Sequence, residues 1–194
     1  MNQIQRRFDH MQQRLSETYD SIGHSSGRPF LYFVYAPDKE QFVLRMAEEL
    51  LDPAGDLHFI HIDMVQLTID SMAGQEERRA SLLNDPVSGS SAGVSVVRLW
   101  ARRLQRQIDQ LLTESPSEKR PVIVLRGLAA LHPLGNPTSL MEAVAEKEPR
   151  HPVTDKAVPV VLLIPGITPP GSSRTYDFLG LPSQRLSFYR GEEL

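Results

Sequence analysis

Hydrophobic positions along this chain follow two rhythms. Between residues 3 and 22, Ile4, Phe8, Met11, Leu15, Tyr19 and Ile22 recur every three or four residues, which predicts one amphipathic helix. "FLYFVY" (30–35) is instead an unbroken apolar run, as expected of a strand covered on both faces. A turn, "APDK" (36–39), follows it, and Phe42, Met46 and Leu50 then return at helical spacing. Asp38 is expected to cap that helix, with Gln41 as its capping-box partner.

The same reading continues down the chain. "LHFIHIDM" (57–64) predicts a second strand, followed by a short helix over Val65–Met72 and a charged one over Gln75–Leu83. "NDPVSGSSAG" (84–93) reads as a loop. Over Ser95–Leu112 the residues Val97, Trp100, Leu104, Ile108 and Leu111 share one helical face. "TESPSEKRP" (113–121) reads as a linker, "VIVLRG" (122–127) as a third strand and "LAALHPLGNP" (128–137) as a loop. Thr138 is expected to cap a helix over Ser139–Lys147. "VPVVLLIPG" (158–166) predicts a fourth strand, 167–182 is irregular, and "QRLSFY" (184–189) predicts a fifth.

Strands alternating with helices predict an α/β fold: a mainly parallel sheet of about five strands flanked by helices, in one domain over residues 1–194. The helix within residues 1–22 is expected to pack on that sheet, although its stripe also suits a partner protein. Ligands of such sheets sit at the carboxyl ends of the strands. Here those ends are Tyr35–Lys39, Asp63–Met64, Arg126–Leu128 and Pro165–Ile167.

Composition narrows the function classes. With 194 residues, 40% apolar and 23% charged, the chain is ordinary for a globular protein. Its net charge of −3 shows no overall basic bias toward DNA or a membrane surface. It has no cysteine, so disulfides and thiolate metal sites are excluded, which fits a cytoplasmic location. The N-terminal residues lack the apolar core of a signal peptide, and "VPVVLLIPG" is far shorter than the roughly 20 residues that span a bilayer.

The strand–turn–helix at 30–51 has the frame of a phosphate-binding loop without its chemistry. Such a loop needs glycines whose N–H groups converge on phosphate, a lysine for charge and a hydroxyl for Mg²⁺. "YAPDKEQF" has no glycine, Pro37 lacks an N–H, and Asp38 repels phosphate, which leaves Lys39 alone. The third strand ends in Arg126, where ATPases of this layout place acids that hold Mg²⁺, and no acid follows until Glu142. The arrangement resembles a degenerate nucleotide-binding fold without a P-loop.

Other constellations are thin. In "HFIHID" a strand puts His61 and Asp63 on one face and His58 on the other, and His132 is a third ligand only if folding brings it near. No G-x-S-x-G nucleophile elbow is present, and "SGSSAG" reads as a flexible serine-rich loop. "PGSSR" (170–174) is either a surface turn or an anion site using its N–H groups and Arg174. On the long helix, Arg98, Arg102 and Arg106 recur every four residues with Arg103 alongside, making a basic ridge. The ridge is either a solvated face, paired in part with acids such as Asp109, or a docking surface for an acidic partner or a nucleic-acid backbone.

Three stretches together resemble a known family: "LYFVYAPDKE", "VIVLRGLAALHPLGNPTSLMEAV" and "VPVVLLIPGITPPGSSRTYDFLG". They are similar to the BrxB family of bacterial BREX (bacteriophage exclusion) defence systems, over roughly residues 28–191. Its G-x-x-A-L-x-P pattern is met by Gly127, Ala130, Leu131 and Pro133, and its P-G-x-x-x-x-G-x-S pattern by Pro165, Gly166, Gly171 and Ser173. The chain departs by placing "TPP" (168–170) inside the second pattern.

The resemblance implies a non-enzymatic adaptor or scaffold, without cofactor or metal. Its implied partners are other BREX proteins, first the PglZ-type protein and the BREX ATPase, with no membrane and with direct nucleic-acid contact left open. Arg98, Arg102 and Arg106 are the expected partner-binding residues. The alternative is a vestigial nucleotide- or phosphate-sensing domain without hydrolytic activity.

Overall fold

The computed structural model describes residues 3–22, 29–51, 55–115, 118–172 and 174–194. In chain order the elements are α1 (Gln3–Thr18), β1 (Phe30–Tyr35), α2 (Glu40–Leu50), β2 (Leu57–Asp63), α3 (Met64–Ser71), α4 (Glu76–Asn84), α5 (Pro86–Glu114) and β3 (Arg120–Arg126). They continue with α6 (Pro137–Val144), β4 (Val160–Ile167), β5 (Thr175–Phe178), β6 (Arg185–Ser187) and β7 (Gly191–Glu193).

Five strands lie side by side in the order β2-β3-β4-β1-β7, each parallel to its neighbours. β5 turns back antiparallel onto the end of β4, and β6 pairs with β5. The expected α/β sheet is therefore present. Its fifth parallel strand is β7, however, and not the 184–189 run, whose β6 belongs to the antiparallel extension. The 167–182 stretch read as irregular contains β5.

The continuous apolar run of β1 is explained by two cores. Phe30, Tyr32 and Val34 face the layer of α3, α5 and α6, and Leu31, Phe33 and Tyr35 face α1 and α2. Period-2 alternation puts consecutive side chains on opposite faces, so a strand covered on both faces needs apolar residues throughout.

The stripe of α1 packs on this sheet: Phe8, Met11 and Leu15 are fully buried, and the Phe8 and Phe33 rings stack at 4.6 Å. Arg7 lies over Phe33 at 4.2 Å and donates to the carbonyl oxygens of Val34 and Leu194 at 2.6 and 2.7 Å. This burial lowers the guanidinium pKa.

Local capping departs from the sequence expectation at two helices. Asp38 does not cap α2; Pro37–Lys39 form a 3-10 turn, and Lys39 occupies the cap position with no side-chain bond. The buried face of α2 is accordingly turned by one residue, onto Val43 and Ala47, with Phe42 and Met46 half-buried. At α6 the cap is Asn136 and not Thr138. The Asn136 side chain accepts from the Ser139 N–H at 2.9 Å, and Ser139 Oγ accepts from the Asn136 N–H at 3.1 Å, a reciprocal box that leaves Pro137 in the first turn where its missing N–H costs nothing.

The largest correction concerns residues 84–93. α5 begins at Pro86 and runs through the serine- and glycine-rich stretch as helix. Asp85 accepts from the Val87 N–H at 3.1 Å, which caps this start. Gly93 lets the helix approach the loop before α6, since a Cβ there would sit 2.7 Å from the Leu134 carbonyl oxygen. On the buried face Leu112 takes the place expected of Leu111, which is half-buried.

Candidate functional site

β1 and β4 are neighbours whose onward connections leave in opposite directions, to β2 and to β7. Open α/β sheets bind ligands at such a point, beyond the strands' carboxyl ends. Here the chain covers it with its own segment. Gly166 pairs with Phe178 and Ile167 with Asp177, and the Leu179 N–H donates to the Pro165 carbonyl oxygen at 2.9 Å. Gly180 then adopts a left-handed conformation, φ +71°, over Ile167, with Pro37 Cγ 3.9 Å from where a Cβ would stand.

Arg185 clamps Asp177 with two hydrogen bonds, 2.8 and 3.2 Å, and these hold the Asp177 carboxyl below its ordinary range. Below the segment, the Lys39 ammonium is engaged by Asp38 at 2.9 Å. The turn thus offers no converging N–H groups and no free lysine. "PGSSR" lies partly outside the described residues, at Ser173; of the rest, Ser172 and Thr175 hydrogen bond to one another at 2.5 Å and Arg174 is exposed.

At the end of β3, Arg126 forms an ion pair with Glu48 of α2 and lies 3.9 Å from Asp63. Asp63 in turn caps α3, accepting from the Val65 N–H at 2.8 Å. Both residues are therefore structural ties between strand ends and helices. His61 shares the face of Asp63, and burial, reinforced by the Arg126 charge, lowers its pKa. His58 points to the opposite face and His132 is exposed in the loop after β3. Among the described residues no three carboxylates or imidazoles gather into a metal-binding group.

The basic ridge is the feature left without an internal role. Arg98, Arg102 and Arg106 are all exposed on α5. Among the described residues, none of them, nor Arg103, has a carboxylate within 4.0 Å. Asp109, the acid expected to neutralise them, is taken by Lys147 at 2.5 Å. At 3.6 residues per turn, each four-residue step drifts by about 40°, so the three arginines spiral across the back of α5.

At one end of that spiral Arg98 lines a cavity of about 650 Å³ between α4, α5 and the start of α6. At the other, Arg106 lines a groove of about 590 Å³ against α3 and β2, which Arg103 and Arg126 also enter. The structure thus separates Arg98 from Arg106 and brings Arg106 together with His61 and Asp63.

Sequence reasoning placed Arg103 in the basic ridge but missed that it forms the polar wall of this groove with Gln107 and Gln110 on α5. Their four-then-three spacing is itself a helical stripe, adjacent to the buried one, and was legible. No helix among the described residues is long and apolar enough to cross a membrane. No family model, curated protein or solved structure matches the chain.

Proposed function

We propose that this protein is a non-enzymatic adaptor that holds partner proteins together by surface docking, within a bacterial BREX phage-defence complex. The observation that carries the docking reading is the exposed, carboxylate-free ridge of Arg98, Arg102 and Arg106 on α5. With the adjacent Arg103 they put four guanidiniums on one helix with no ion pair among the described residues, and an acidic partner surface relieves their mutual repulsion while steering association. The covered point between β1 and β4 supports the same reading, because the chain's own residues Asp177–Gly180 close over strand ends where open α/β sheets take ligands.

The BREX assignment rests on the three sequence stretches given above. The PglZ-type protein and the BREX ATPase are the proposed partners, and a cytoplasmic location goes with them. The test is a tagged pull-down from cells expressing this chain with its flanking genes, with and without nuclease. Recovery of a PglZ-type protein or an ATPase despite nuclease supports the proposal. Recovery lost on nuclease treatment makes the ridge a nucleic-acid surface, and a chain that comes down alone contradicts the adaptor reading.

A further inference from the structure

We infer that the open edge of β2 is a docking strand for an extended, acidic segment of a partner protein. The inference deepens the adaptor reading and rests on it, since it assigns the docking to one surface.

β2 is the outermost strand of the parallel sheet, and among the described residues β3 is its only strand partner. Among the described residues, no backbone hydrogen bond reaches its other edge. The strand is seven residues long, Leu57–Asp63, whereas β7 at the opposite side of the sheet has three. A long edge with free N–H and C=O groups is a template for another strand unless something covers it. Here a groove of about 590 Å³ meets its carboxyl-terminal part at His61 and Asp63, walled by α3 and α5. Its lining wraps the strand edge: Arg126 and His61 come from the α2 face of the sheet, and Arg103 and Arg106 from the α5 side.

The charges of the groove select the partner. Its two carboxylates are already engaged, Asp63 by the α3 N–H groups and Asp70 by the Gln66 side-chain amide at 2.7 Å. Arg103 and Arg106 have no such partners among the described residues. Two buried polar atoms also lack one, His61 Nδ1 and Arg126 Nε. A segment added along β2 gains main-chain hydrogen bonds from the edge. Its alternate side chains then face the guanidiniums on one side, and aspartate or glutamate at those positions is the chemistry that fits.

The experiment is a titration of the ¹⁵N-labelled full chain with a synthetic seven-residue peptide alternating valine and glutamate. A peptide with lysine for each glutamate is the control. The expected result is shifted and exchange-protected amides concentrated in residues 57–63, with binding weakened about tenfold or more by R103E/R106E and by the lysine peptide. Absence of binding, shifts that avoid β2, or equal binding of the lysine peptide would overturn the inference. A partner recovered from cells while the peptide fails leaves the adaptor standing and removes β2 as its surface. A peptide that binds while no partner is recovered keeps the edge and removes the adaptor.

Discussion

The guanidinium of Arg126, at the carboxyl end of β3, is paired with the carboxylate of Glu48 on α2. The pair ties the end of a central strand to the helix that covers it. The pair is partly exposed, 25% and 57% for the two side chains, so its worth is small. Glu48→Gln is expected to cost no more than about 1 kcal/mol in thermal unfolding. A loss of several kcal/mol would mean that the pair is a keystone of the fold and not a local tie.

Gly127 follows Arg126 with φ +68°, and a Cβ there would lie 2.9 Å from Val65 Cγ2 and 3.2 Å from Asp63 Oδ1. Gly127→Ala meets both the left-handed penalty and the crowding, so destabilisation of about 1–2 kcal/mol or more is expected. Chemical denaturation measures it, and an unchanged midpoint would show that the loop before α6 relaxes freely.

Gly93 is the sharper case, because two effects oppose one another. Within a helix, alanine is favoured over glycine by about 1 kcal/mol. The Leu134 carbonyl oxygen, however, would lie 2.7 Å from the new Cβ, and it is backbone that cannot swing away. The clash is expected to win, so Gly93→Ala should lower the melting temperature. A raised melting temperature would mean that α5 does not approach that loop so closely.

His61 gives a pH dependence with a defined sign. Its folded pKa is lowered from 6.5, so the folded state takes a proton less readily than the unfolded chain. Stability from this group is present above about 6.5 and is lost as pH falls below that value toward the folded pKa. His58 shifts in the same direction, so each is replaced singly. Unfolding free energy followed across pH 5–8 should fall less steeply at the acid end in His61→Gln. Identical profiles would remove His61 as a contributor.

How much of this was legible in the sequence follows from which residues act locally. β1 was read to its ends because burial on both faces forces an unbroken apolar run. The α1 stripe was equally plain, since its six apolar positions meet one sheet face. The start of α5 was not, because Ser88–Ser91 look like a loop even though the Asp85 cap stands just ahead of them; the close approach of Gly93 to Leu134, 41 positions apart (134 − 93), is the part that no local pattern contains. Capping failed at Asp38 and Thr138 because a competing local signal won: the 3-10 turn at Pro37 and the Asn136–Ser139 box shift each helix start by one or two residues. Of the candidate site, the arginine ridge was visible as spacing. Its lack of carboxylate partners was not, because that depends on Lys147, in the turn after α6, reaching Asp109.

The central claim is that α5 docks a partner through its unpaired arginines. The direct measurement is co-purification of the partner with the R98E/R102E/R106E variant beside the wild type, at equal expression and about 150 mM salt. All three side chains are exposed, so the variant should fold with a melting temperature close to that of the wild type. The account predicts that the folded variant loses its partner. A folded variant that retains the partner in full would contradict it.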